Sequence, residues 1–148
     1  NYSKNIVVHK EPLPIKDLKF KDFNLNDVDL TNKKGNIMIL NFWATWCVPC
    51  KKEMPSLAQL SELYPEIAIY PINLEKPNKE KTKSFFENID IKNLDIYFDP
   101  EFNLVKSFNM RGVPTSILID KNGKEFARII GEIDFFDKSF VSFLKNYL

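Results

Sequence analysis

Cys47 and Cys50 are the only cysteines in 148 residues, and they stand three positions apart. Two thiols at that spacing can close a disulfide and reopen it. Trp46 precedes them, Lys51 and Lys52 follow, and the apolar segment Ile37-Met38-Ile39-Leu40-Asn41-Phe42-Trp43 runs straight into them. They therefore fall where a strand hands over to a helix, the context in which a C-x-x-C pair reads as a thiol–disulfide exchange motif. Cys47 is expected at or just before the first helical turn, where unsatisfied N–H groups and the positive end of the macrodipole favour an anion. The thiolate is the attacking form. Cys50, one turn further in, is expected to be shielded. The division of labour follows: Cys47 attacks a partner's disulfide, and Cys50 resolves the mixed disulfide. Pro49 fits a first helical turn, where it removes only a donor that would be orphaned.

Two plainer roles compete. A purely structural disulfide here would close a very short loop, and such loops contribute least in the chain-entropy model. A tetrahedral zinc site needs four ligands, whereas the chain offers two cysteines and one histidine, His9, far away in sequence.

The elements that must position the pair follow from pattern. The length suits one domain with an adequate core. Hydrophobic residues at 44% and thirteen Phe argue against disorder. A net charge of +1, from 21 basic and 20 acidic residues, gives no basis for a nucleic-acid or anionic-membrane surface. No segment approaches the roughly 18 apolar residues of a membrane span. Residues 1–16 read as an extended lead-in and 17–148 as the domain. Phe20, Phe23, Leu25, Val28 and Leu30, with Asn26-Asp27 between, predict a β-hairpin. Residues 37–43 predict a central buried strand, and 48–63 a helix kinked at Pro55. Residues 67–70 predict a strand ending near Pro71, and 79–88 a lysine-rich helix. Ile96–Phe98 is a short strand, and Asp99-Pro100 predicts the cap and first turn of a helix reaching about Phe108. Ser116–Ile119 and Glu125–Ile130 predict two strands joined by the Asp120–Gly123 turn. Asp134 is the expected cap of a final helix whose apolar face holds Phe136, Phe140, Phe143, Leu144 and Tyr147.

Four features together resemble the thioredoxin superfamily and, within it, the exported TlpA/ResA-like thiol–disulfide oxidoreductases. They are Leu40–Cys50, ending in Trp-Cys-Val-Pro-Cys; Glu53-Met54-Pro55 just after it; Gly112-Val113-Pro114-Thr115 ahead of a strand; and the 64 residues from Cys50 to Pro114. That last distance fits the extra αβ insertion of the TlpA/ResA group. The resemblance covers about residues 17 to 145. It implies a thioredoxin-like α/β fold with a central mixed sheet flanked by helices, an N-terminal β-hairpin and the αβ insertion.

The resemblance also implies roles. Cys47 is the nucleophile and Cys50 the resolving thiol. Val113-Pro114 is a cis peptide beside the disulfide, leaving the Val113 backbone free to pair with an extended substrate segment. Trp46, Val48 and Pro49 shape partner contact, Trp43 belongs to the core, and Lys51 and Lys52 have no catalytic part. Asn41 stands where thioredoxin carries a buried acid, so its proton-moving role passes to another group or to water. Glu75 is expected near the disulfide, tuning Cys50 and relaying its proton.

The resemblance thus implies reduction of protein disulfides without a bound cofactor or metal, by a monomer outside the cytoplasm that has no nucleic-acid partner. Apocytochrome c and cytochrome oxidase assembly proteins are the expected substrates, and a membrane thiol donor re-reduces the pair. The chain begins at Asn1 rather than methionine, which accords with export or with anchoring through a segment outside this sequence. Two other classes stay open. One is an oxidant that introduces disulfides. The other is a copper-handling assembly factor, although the C-x-x-x-C spacing and downstream histidine of copper-delivery relatives are both missing. The peroxidase pattern P-x-x-x-T/S-x-x-C is also missing.

Overall fold

The apolar run ahead of the cysteines forms a strand buried along its whole length, as the middle of a sheet requires. The computed structural model describes residues 2–148. After a 3-10 turn at Tyr2–Lys4, the elements are β1 (Ile6–Leu13), β2 (Lys19–Lys21), β3 (Asp27–Asp29), β4 (Met38–Trp43), α1 (Val48–Leu63), β5 (Ala68–Asn73), α2 (Lys79–Asn88), β6 (Tyr97–Phe98), α3 (Asn103–Ser107), β7 (Thr115–Ile119), β8 (Glu125–Ile130) and α4 (Lys138–Lys145). The strands form one sheet in the order β1-β8-β7-β4-β5-β6-β2-β3. β4 runs parallel to β5 and antiparallel to β7, and β5 runs parallel to β6, so the sheet is mixed.

Alternation along β4 divides the core between the two faces of the sheet. Ile39 and Trp43 join Cys47, Cys50, Met54, Leu57 and Leu60 of the α1 segment, together with Phe85, Phe86, Phe126, Phe135 and Phe140. Met38, Leu40 and Phe42 join Phe20, Leu104, Phe108, Ile117 and Ile119 on the other face. Trp43 is fully buried between Phe85 and Phe86, at ring separations of 4.7 and 5.3 Å, which gives it the expected core position. The α2–β6 segment between β5 and α3 is the expected insertion, and β2–β3 is the expected hairpin. The hairpin's turn is set by Asp22, whose carboxylate accepts from the Asn24 and Asn26 N–H groups, rather than by Asn26-Asp27 alone.

Four expectations need correction. The lead-in is extended, but residues 6–13 are part of the sheet as edge strand β1, paired antiparallel with β8. Its His9 Nε2 lies 2.7 Å from the buried Glu125 carboxylate, which also accepts two bonds from Arg128. β5 does not stop at Pro71 but continues to Asn73. Proline is tolerated there because β6 pairs only with Ile72 and Asn73, leaving one side of Pro71 without a neighbouring strand. The final helix is capped by Asp137, which accepts from Phe140 N–H, while Asp134 closes the preceding turn through Phe136 N–H. α1, in contrast, spans the expected residues and runs unbroken through Pro55.

The fourth correction concerns the helix after β6. Asp99 is not its cap residue and Pro100 is not in its first turn. α3 starts at Asn103 behind Phe102, which sits in the left-handed region at φ 57. The buried Asp99 carboxylate still serves the helix, accepting from the N–H groups of Asn103, Leu104 and Val105. Asp99→Ala removes all three hydrogen bonds at once, so a loss of about 1–2 kcal/mol is expected, toward the upper end for a helix cap. Urea denaturation checks this, and an unchanged midpoint would mean that α3 gets its cap elsewhere.

Candidate active site

β4 ends at Trp43, the chain turns through Ala44–Trp46, and α1 begins at Val48, so Cys47 becomes the N-cap residue. Its Sγ accepts from Cys50 N–H at 3.2 Å, and its carbonyl accepts from Lys51 N–H at 3.1 Å. Pro49 falls within the first helical turn, where it leaves no donor unsatisfied. Cys47 and Cys50 are joined as a disulfide, with Cα atoms 5.3 Å apart. Cys47 is 4% exposed and Cys50 fully buried, so the one residue of the pair with an opening to solvent is Cys47. The flanking side chains are the opposite: Trp46 is 71% exposed and Val48 62%.

Val113-Pro114 is a cis peptide, as expected. Pro114 is buried at the start of β7, and Thr115 Oγ1 donates to the Gly112 carbonyl at 2.7 Å, closing the loop. Val113 and Trp46 line one cavity of about 270 Å³, so the 112–115 loop and the cysteine loop share a surface.

Glu75 is held by four hydrogen bonds. One carboxylate oxygen accepts from Thr45 N–H (2.7 Å) and Asn73 Nδ2 (3.0 Å); the other accepts from Thr45 Oγ1 (2.9 Å) and Lys81 Nζ (3.1 Å). Burial pushes its pKa up, but these bonds outweigh burial and hold it below the usual carboxylate value. Glu75 is thus an ionised clamp between α2, the end of β5 and the loop two residues ahead of Cys47.

The group with the properties of a proton carrier is Glu53, one helical turn beyond Cys50. It is 2% exposed, and burial raises its pKa from 4.5 to about 8, although bonds from Asn41 and the Ile133 N–H oppose that rise. Asn41 Nδ2 donates to Glu53 Oε2 at 2.8 Å and contacts Ser116 Oγ at 3.0 Å. Asn41 Oδ1 is buried without a partner. An amide can donate to a carboxylate or, rotated, accept from a carboxylic acid, so Asn41 suits either charge state of Glu53. The acid missing from position 41 thus reappears across the interface between β4 and α1. Glu53 was visible in the Glu-x-Pro motif, but only its burial reveals its protonation state. Among the described residues, no cluster of three or more His, Cys, Asp or Glu side chains could hold a metal.

A mixed sheet with flanking helices, a strand–CxxC–helix junction and a cis-proline loop together define a thioredoxin-type protein. The chain belongs to the AhpC/TSA family, whose model matches residues 12–124. Thiol-disulfide oxidoreductase ResA of Bacillus cereus is 37% identical over 119 residues, covering 80% of this chain and 65% of that protein. The chain therefore spans just under two thirds of that relative's length. StoA from Bacillus subtilis superposes with a TM-score of 0.68 at 26% identity, covering 93% of this chain and 98% of that one. A thiol:disulfide interchange protein DsbE from Chlorobium tepidum shares the fold, with a TM-score of 0.78 at 24% identity, over 93% of this chain and 97% of the other.

Proposed function

We propose that the chain catalyses thiol–disulfide exchange on protein substrates, in the reducing direction and outside the cytoplasm. The observation that carries this reading is the Cys47–Cys50 pair at the start of α1, with Cys47 the less buried of the two and a buried, proton-holding Glu53 one turn behind it. The names of the relatives support the same reaction class.

In the reduced protein, the Cys47 thiolate attacks one sulfur of the substrate disulfide. That bond breaks, a mixed disulfide forms, and the released substrate thiolate takes up a proton. Cys50 then gives its proton to Glu53 in the fraction of molecules in which that acid is ionised, a fraction that grows as the pH approaches about 8, and attacks Cys47 Sγ. The second substrate sulfur leaves as a thiolate and is protonated. In sum, the substrate disulfide gains two electrons and two protons, and Cys47–Cys50 becomes the disulfide present here. A dithiol donor at the membrane returns the pair to its reduced form by the same exchange.

Pro114 and Val113 hold the incoming segment across the cysteine loop, and Trp46, Val48 and Pro49 supply its contact surface. Glu75 acts as a positioning residue on Thr45 rather than as the relay. The working unit is a monomer, and its substrates are disulfides of cytochrome c or cytochrome oxidase maturation.

The deciding experiment is the reduction potential, measured by equilibration with defined thiol–disulfide buffers. A value clearly below about −200 mV, toward the roughly −270 mV of thioredoxin, is expected. A value near the roughly −120 mV of a strong oxidant such as DsbA would overturn the reducing direction.

A further inference from the structure

Against the cysteine loop, at Ala44 and Trp46, lies an apolar surface with an unpaired cation at its rim. The cavity of about 270 Å³ is lined by Trp46, Phe102, Val105, Met110, Arg111 and Val113, among others. Ligand pockets for small molecules usually run from about 300 Å³ upward, so this one suits a single side chain with its backbone. Trp46 and Phe102 are 71% and 43% exposed, which leaves two large aromatic surfaces in water along a cavity that begins at the residue before Cys47. Phe102 reaches that place through a left-handed backbone at φ 57, unfavourable for a bulky residue. The conformation is pinned by the Phe102 N–H bond to the Asp99 carbonyl and by the Asp99 carboxylate on the three following N–H groups.

A second cavity, of about 480 Å³, adjoins the first along Met110–Val113 and continues to Ile130, which is 59% exposed. No acidic residue lines either cavity. Of the two basic residues, Arg128 is committed to Glu125 and the Phe108 carbonyl. Arg111 lines both cavities, is exposed, and makes no hydrogen bond or ion pair among the described residues. An extended segment laid across Val113 turns the two residues that flank its cysteine to the same face, so one would lie among the aromatics and the other against the guanidinium.

We propose that this groove is a specificity site for protein substrates whose reacting cysteine has a large apolar residue on one side and, on the other, a carboxylate set against Arg111. This rests on the exchange reading above. It adds that the site discriminates among disulfides by flanking sequence, by burying an apolar side chain against Phe102 and Trp46 and by charge at Arg111.

The test uses the reduced protein and four short disulfide-bonded peptides, with Leu or Ser and Glu or Lys at the two positions flanking the cysteine. A small aromatic disulfide serves as a reference substrate. The expected result is a rate about tenfold higher for Leu than for Ser. Glu should be favoured over Lys by about threefold at low salt, a ratio that shrinks as salt is added. Within Arg111→Glu, the Glu/Lys ratio should invert while the Leu/Ser ratio stays; within Phe102→Ala, the Leu/Ser ratio should fall. Four equal peptide rates with normal reaction of the small disulfide would overturn the specificity site and leave the exchange reading standing. An Arg111→Glu protein that still prefers Glu would overturn the role of Arg111. Failure with the small disulfide as well would overturn the exchange reading and the specificity site with it.

Discussion

Cys50→Ser is expected to turn the protein into a trap. Cys47 keeps its place at the N-cap of α1, the less buried of the two positions, so it still attacks substrate disulfides. Nothing then resolves the mixed species, because the serine hydroxyl is not a nucleophile toward sulfur under these conditions. A covalent adduct, cleaved by added thiol, should accumulate on non-reducing gels and in mass spectra. Cys47→Ser should react with nothing, its rate falling to that of buffer alone, although serine is itself a good N-cap and preserves the helix start. Either change also removes the disulfide, but the closed loop is so short that the stability loss should stay below about 3 kcal/mol. If Cys47→Ser formed the adduct and Cys50→Ser did not, the two roles would be reversed. If neither variant lost exchange, the pair would be structural.

Glu53→Gln is expected to change two pH profiles at once. In the folded protein burial raises the Glu53 pKa from 4.5 to about 8, with the nearby Glu132 charge adding to the effect against the bonds from Asn41 and Ile133. The folded state therefore holds a proton across a window in which the unfolded chain releases it. The associated stability is fully present below about pH 4.5 and is lost as the pH rises through about 8, a change on the order of 4 kcal/mol. The melting temperature of the oxidised wild type should fall across that range, and that of Glu53→Gln should stay flatter. Glutamine keeps the shape and can still bond Asn41, so the variant should fold. It cannot take up the Cys50 proton, and the resolving step should slow by about 10²-fold. A variant with the wild-type slope in both profiles would place the proton elsewhere.

The parts of the molecule set by local chemistry were legible in the sequence. α1, α2 and β8 occupy the expected residues because apolar spacing, turn chemistry and caps lie within each segment. The cysteine pair and the 112–115 loop were legible for the same reason, since each is a contiguous motif. What was hidden depends on distant partners. β1 carries little apolar alternation and is held by its backbone ladder to β8, more than a hundred residues away. Glu53 owes its protonation to burial by distant parts of the chain, against the opposing bonds from Asn41 in another element and from Ile133, 80 positions on, and no local pattern encodes that burial. Glu75 was expected near the disulfide by family likeness, but its bonds to Thr45, Asn73 and Lys81, which hold it below the usual carboxylate value, join separate parts of the chain and left no local signal. Asp99 was recognised as a cap but misplaced, because Phe102 takes a left-handed conformation that separates the acid from the helix it serves.

The two cysteines are packed in the same buried cluster as Trp43, Met54 and Leu57. Reduction therefore places two thiols in the hydrophobic interior instead of one sulfur–sulfur bond. Folding and reduction then form the sides of one thermodynamic cycle: the difference in unfolding free energy between the two redox forms equals the difference in disulfide free energy between folded and unfolded chains. Substitutions among the packing residues around the sulfurs can thus shift the potential without touching sulfur chemistry. In this architecture, electron affinity is a property of core packing as much as of the two cysteines.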